Sequence, residues 1–271
     1  DDVFFTPGFS SIISNQEDQE TVQVIGFPSG RLLWHYGHVN AIGSATGYLN
    51  NPDDAYMLPD GRITVADPRN CRVLILSRAH KILRQYGQPG NCGHDPPRLL
   101  ASPNGDTPLP GGGMLISEIG GSWIDKISAS GRLVWSVRAP VAYPSDAQML
   151  PNGRILVADY SGPGHVLIMS HTGHVFWEYG PSSGPGQLDH PSLALMLPNG
   201  LIAVNDDYRD RVVLIDPATS RIVWQYGHTD QPGTAPGYLN TPDGMDFLPL
   251  QQALSRPVLK RLVRRSLVVK H

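Results

Sequence analysis

The chain has 271 residues, 21 Lys and Arg against 24 Asp and Glu, and a formal net charge of −3. Charged residues are only 17 % while Gly (29) and Pro (25) are abundant, which fits many short strands joined by tight turns and argues against a helical bundle. No run approaches the roughly 18 apolar residues of a membrane-spanning helix. Six basic residues and no acid fall in 251–271, so the remaining body is acidic, which speaks against nucleic acid as the partner.

The chain opens on Asp1-Asp2 rather than Met, so a removed signal peptide and a secreted, periplasmic or cell-surface location are expected. Ser11–Ser14 reads as a strand, and Leu33-Trp34-His35-Tyr36-Gly37 as a strand ending in an aromatic and Gly. That ending recurs at Tyr86-Gly87, Tyr179-Gly180 and Tyr226-Gly227, with Val134-Trp135-Ser136-Val137 in the remaining slot. Between these endings stands a second phrase: Pro, six residues, Pro, a turn residue, Gly, then an apolar strand. It starts at Pro52, Pro96, Pro144, Pro191 and Pro242, at gaps of 44, 48, 47 and 51 residues. A period of this length means repeated supersecondary units.

The clearest unit runs through Ala147–Leu150, Arg154–Ala158, His165–Met169 and His174–Glu178, with Pro151-Asn152-Gly153 and His171-Thr172-Gly173 as the turns. Four strands per unit is the blade of a β-propeller. The count gives an all-β, single propeller of five four-stranded blades over residues 1–250. A C-terminal strand near 243–250 is expected to join N-terminal strands near 11–37, closing the ring without open strand edges. A sixth blade, the alternative, would need about 40 more residues. Residues 251–271 form a basic extension. If helical, it gathers Val258, Leu259, Leu262, Val263 and Val269 on one side and Lys260, Arg261, Arg264 and Arg265 on the other, a pattern suited to a membrane surface or a partner groove.

Tyr179–Pro191, Val65-Ala66-Asp67 and Arg72-Val73 resemble the crossover loop and the second-to-third-strand turn of NHL repeats. Gly30–Trp34 and Gly131–Trp135 are also similar to blade ends of quinoprotein and arylsulfotransferase propellers. The NHL resemblance implies a propeller that is either a binding module or an enzyme, lyases being among the family.

In a closed ring the crossover loops and the channel mouth share one face, the default binding surface. The expected ligand-binding residues there are Asp54, Arg98, Tyr143, Asp146, His190 and Asp243, with Trp123 as an exposed recognition aromatic. Arg98 among the carboxylates would pair with one of them or hold an anion in bidentate fashion. His190 is the only weak candidate for a catalytic base. A second set, Asp67, Glu118, Asp159 and Asp206 with Asn15, ends the second strands. Carboxylates at one level of a channel would suit calcium, which takes six to eight oxygens, whereas the resemblance to NHL units implies a structural use, each acid holding its own turn and meeting an Arg such as Arg72 or Arg211. Cys71 and Cys92 either bridge, pinning two loops on one face in an oxidising compartment, or remain two thiols. The expected function is therefore binding of a protein or small-molecule ligand through the crossover-loop face. A calcium-dependent lyase or lactonase-type hydrolase with its site at the channel mouth is the alternative.

Overall fold

Twenty strands fall into five four-stranded antiparallel sheets in the computed structural model, which describes residues 2–251. The first blade is β1 (Val3–Phe5), β2 (Ser11–Gln16), β3 (Thr21–Gly26) and β4 (Leu32–Gly37). The second is β5 (Asp54–Met57), β6 (Ile63–Asp67), β7 (Arg72–Leu76) and β8 (Ile82–Gly87). The third is β9 (Pro103–Gly105), β10 (Met114–Glu118), β11 (Trp123–Ile127) and β12 (Leu133–Arg138). The fourth is β13 (Pro144–Met149), β14 (Ile155–Asp159), β15 (His165–Met169) and β16 (Val175–Tyr179). The fifth is β17 (Ala194–Met196), β18 (Ile202–Asp206), β19 (Arg211–Asp216) and β20 (Arg221–Gly227). Each sheet is a meander in chain order, and the whole is a β-propeller.

The sequence explains the layering within a blade. Second strands such as Ile63–Asp67, Met114–Glu118 and Ile155–Asp159 are buried along their whole length, because a strand sandwiched between two neighbouring blades has no solvent face. They are accordingly near-continuous apolar runs. Fourth strands are largely exposed, with one or two inward residues such as Trp34 and Tyr36 in Leu32–Gly37, because they lie on the outer rim. The recurring tryptophans staple each rim to the next blade. Trp34 Nε1 donates to the Arg78 carbonyl at 3.0 Å, Trp177 Nε1 to Ser220 Oγ at 3.2 Å, and Trp135 lies against His171. The fifth blade is the exception: Trp224 and Tyr226 are 50 % and 46 % exposed, whereas Trp34 and Tyr36 are 7 % and 2 %.

The Gly after three of the rim tyrosines has a shared physical cause. In blades one, two and five a short 3-10 turn (Glu17–Gln19, Pro68–Asn70, Asp207–Arg209) follows the second strand and ends on a left-handed residue. The carbonyl of that residue faces Gly37, Gly87 or Gly227, each at positive φ, and a Cβ there would lie 2.1–2.3 Å from the oxygen.

Two expectations are corrected. The innermost strand of the first blade is β1, not a C-terminal strand: Val3–Phe5 pairs with Ile12–Ser14 across a short turn, and Phe4 stacks on Tyr56 at 4.2 Å. A hairpin closed over a few residues forms at far smaller entropic cost than pairing across the whole chain. The segment after Pro242 carries no strand but seats beside β1, with Phe5 N–H donating to Asp246 Oδ2 at 2.7 Å and Gly244 packed on Asp2 and Val3. The termini do meet, through a different ribbon.

The third blade begins at Pro103, not at Pro96. Its second repeat proline is Pro110, and β10 starts at Met114, the same four-residue step that separates Pro59 from Ile63 and Pro151 from Ile155. Cys71 and Cys92 are joined in a disulfide with their Cα atoms 5.1 Å apart, tying the end of the Pro68–Asn70 turn to the crossover into the third blade. No helix among the described residues is long and apolar enough to cross a membrane. The proposed amphipathic tail lies outside the described residues.

Candidate functional site

Two positions of the repeat build the channel mouth. The residue after each blade's leading proline gives Asp53, Asn104, Ser145, Ser192 and Asp243, and the residue after each second strand gives Glu17, Pro68, Ile119, Tyr160 and Asp207. From these, Glu17, Asp53, Asn104, Ser145, Tyr160 and Asp243, with Tyr143, wall a cavity of about 80 Å³. The Asn104 amide donates to the Asp53 carboxylate and to Ser145 Oγ, and Tyr143 Oη donates to Asn104 Oδ1 at 3.0 Å. Ser192 Oγ reaches both Asp207 Oδ1 at 3.0 Å and the Asp243 carbonyl at 2.7 Å, so the C-terminal segment is stitched to the fifth blade at the mouth.

Among the described residues no Lys or Arg lines this cavity, and the charges repel. Burial, then Glu17 and Asp243, hold Asp53 well above the ordinary carboxylate range. Burial, then the neighbouring Asp243, push Asp207 up to about 10. Tyr143 is raised by burial and then by Asp53, Glu17 and Asp243, so its phenol stays a donor.

A second acidic layer lies below. Asp54, Asp106 and Asp146 are 2 %, 0 % and 6 % exposed, and Asp2 Oδ1 is buried beside them. Asp54 Oδ2 accepts the Asp106 N–H at 3.0 Å and Asp146 Oδ1 accepts the Thr107 hydroxyl at 2.7 Å. Asp54 Oδ1 and both oxygens of Asp106 have no donor. Burial first, and then the Asp146 charge for Asp54 and the Asp54 charge for Asp106, hold these groups above the ordinary carboxylate range, and burial raises Asp146.

The rim is aromatic. His190 stacks on Tyr208 with centroids 4.1 Å apart and meets the edge of Tyr160 at 4.8 Å, and its Nδ1 lies 2.6 Å from Asp189 Oδ1. Tyr160 in turn contacts Tyr143. The left-handed backbone of His190 is shared by Asn51, Ser102 and Thr241 at the same repeat position, so it belongs to the fold rather than to a special role.

The structure thus brings together Asp54, Tyr143, Asp146, Asp243 and His190 around the channel. It does not bring Arg98, which is 70 % exposed in the crossover and paired with Asp95, because the true leading proline of that blade lies seven residues on. Trp123 lines no mouth either: it is partly buried with its ring stacked on His94 at 4.1 Å. The four second-strand acids make no channel ring. Each accepts a backbone N–H from its own crossover: Asn50 to Asp67, Ala101 to Glu118, Tyr143 to Asp159 and Asp189 to Asp206. Asp67 and Asp206 are further neutralised by Arg72 at 2.7 Å and Arg211 at 2.6 Å. Sequence reasoning missed Asn104, Tyr160, Tyr208 and Asp106. The first follows once the third blade is placed in register, and Tyr160 follows from its position after the second-strand acid.

No family model matches the chain, and no curated protein matches it. Solved structures do. A protein of unknown function from Bacteroides caccae aligns with TM-score 0.60 at 19 % identity over 83 % of this chain and 80 % of that one. Virginiamycin B lyase from Staphylococcus aureus aligns with TM-score 0.58 at 13 % identity over 86 % and 70 %, and a streptogramin B lyase with 0.59 at 14 % over 85 % and 69 %. The likeness is one of fold. At these identities the aligned propellers say nothing of what this mouth binds.

Proposed function

We propose that the protein is a ligand-binding propeller, NHL-like in its blades, whose channel mouth takes a positively charged group of a protein or small-molecule ligand. One observation supports the reading above the rest: a cavity walled by Glu17, Asp53 and Asp243 together with the Tyr143 and Tyr160 rings, with no basic residue among the described residues that line it. Carboxylates and aromatic faces both attract cations, and the attraction strengthens where water is excluded. A liquid water occupies about 30 Å³, so about 80 Å³ admits an ammonium or methylated ammonium head and not a whole ligand. The rest of the ligand would lie on the rim, against His190 and Tyr208. The Cys71–Cys92 bridge is compatible with an extracellular setting.

Calorimetric titration with tetramethylammonium and with an N-acetyl-lysine amide tests this. Saturable binding that weakens with salt, is lost in Asp243→Asn and falls severalfold in Tyr160→Phe is the expected result. Equal binding of a neutral isostere such as tert-butanol would overturn it.

A second reading has one observation in its favour. His190 Nδ1 sits 2.6 Å from Asp189 Oδ1, the arrangement of a base oriented by a carboxylate. Two of the aligned propellers are lyases, and proton abstraction by His190 Nε2 from a rim-bound substrate is the step such an enzyme would need. Loss of turnover in His190→Ala with ligand affinity retained would support that reading over simple binding.

A further inference from the structure

The third blade lacks the arginine that covers the second-strand acid in blades two and five. In blades two and five a buried arginine on the third strand covers the second-strand acid and also donates to crossover carbonyls. Arg72 reaches Ser44 O and Tyr48 O, and Arg211 reaches Pro185 O and Gln187 O. In blade three the residue paired with Glu118 is Trp123, which carries no charge. Two positions along the same strand a second acid, Asp125, enters the space instead, and His94 descends from the crossover.

We infer that His94, Glu118 and Asp125 form a binding site for a zinc-class divalent cation, separate from the channel. Their donor atoms all lie within 4.8 Å of one another, the only such group among the described residues. Glu118 and Asp125 are both 0 % exposed, and Glu118 Oε1 and both oxygens of Asp125 have no hydrogen-bond donor. A buried carboxyl group with an oxygen left unpaired is costly, and here two such groups face each other, with the Ser136 hydroxyl nearby on Asp125. Glu118 Oε2 is already held by the Ala101 N–H at 2.5 Å and by His94 Nδ1 at 3.1 Å, which leaves Oε1 to aim inward. His94 Nε2 lies 3.2 Å from Ser136 Oγ, and the imidazole is clamped flat on Trp123 with 5° between the planes. Oriented ligand rings of this kind are a hallmark of metal sites, whose outer partners fix the donor.

The donor chemistry selects the ion. One imidazole nitrogen and two carboxylates are a three-ligand set for zinc or a similar first-row divalent ion, leaving a fourth position open towards the solvent side of His94, which is 20 % exposed. Calcium, needing six or more oxygens, finds too few here.

The test uses the full chain stripped with chelator and titrated with zinc chloride by calorimetry, and with cobalt(II) followed by visible absorption. The expected result is one zinc per chain, a cobalt spectrum with a histidine ligand, and affinity lowered by about 100-fold or more in Asp125→Asn and in His94→Ala, since losing even an outer partner costs 10–100-fold. His94 is a partly exposed loop residue, so its variant remains informative should the core variant fail to fold. Asp243→Asn at the channel should bind zinc as the parent does, which separates this site from the mouth. No saturable zinc binding, or binding unchanged in His94→Ala, would overturn the assignment and leave a carboxyl pair sharing a proton.

Discussion

Asp207→Asn probes the charge state of the channel directly. Asp207 is fully buried, its Oδ2 has no donor, and burial with the neighbouring Asp243 raises it to about 10, against an ordinary value near 3.8. In the unfolded chain the group ionises near pH 4, while in the fold it keeps its proton. Between those limits the folded state binds one more proton, so stability falls by about 1.4 kcal/mol per pH unit. The contribution is complete below pH 4 and is lost as pH rises towards 10. From pH 5 to pH 8 the loss through this one group is about 4 kcal/mol. Asparagine keeps an acceptor for the Ser192 hydroxyl, turns a donor towards Asp243 and cannot ionise. Urea unfolding from pH 5 to 8, with chelator present, should give a stability that falls with pH in the parent chain and falls by one proton's slope less in the variant. Parallel slopes would refute the claim that Asp207 is neutral in the fold. The same linkage says that a cationic ligand at the mouth should bind more tightly as pH rises, by up to about tenfold per unit for each proton it displaces.

Three other substitutions separate the forces that hold the ring. Arg72→Met should cost about 3–5 kcal/mol in urea unfolding, because it leaves Asp67 as an uncompensated buried charge and strips two crossover carbonyls of their donor. Joint replacement of Cys71 and Cys92 by Ser, which opens a loop spanning 21 positions, should cost about 3 kcal/mol on the loop-entropy account, measured the same way. Trp34→Ala should cost about 3 kcal/mol and Trp224→Ala no more than about 1, because Trp34 is 7 % exposed and bonded to the next blade while Trp224 is 50 % exposed; equal losses by thermal denaturation would mean that the rim tryptophans do not staple blades.

The repeat was legible because each marker answers a backbone demand. Gly37, Gly87 and Gly227 stand where a Cβ would strike a carbonyl, and the rim tryptophans stand where one blade meets the next. The third blade was harder to place, since Pro96-x₆-Pro103 and Pro103-x₆-Pro110 both satisfy the phrase. Only the distance from the second proline to the next buried strand separates them. That slip moved Arg98 into the mouth and hid Asn104. Asp243 and Tyr143 were found because they flank prolines that were in register. The pair formed by Glu118 and Asp125 could not be read from spacing alone. Their approach depends on Trp123 taking the place of an arginine, which becomes visible only when the third blade's strands are laid beside those of the second and fifth.

A repeat fold allows such variation between blades because each depends chiefly on its neighbours, so an arginine present in blades two and five need not recur in the others. The channel mouth carries the same logic in charge. Glu17, Asp53 and Asp243 come from the first blade, the start of the second and the C-terminal segment, while Tyr143, Ser145 and Tyr160 come from the fourth. Among the residues lining the cavity the acids therefore come from the first and second blades and the C-terminal segment, and the phenols from the fourth blade alone. A symmetric cation such as a bare metal ion would gain little from that division. A charged head on an apolar or aromatic stem would meet carboxylates with its head and the Tyr160, His190 and Tyr208 rings with its stem, so the asymmetry of the ring fixes the direction in which a ligand lies.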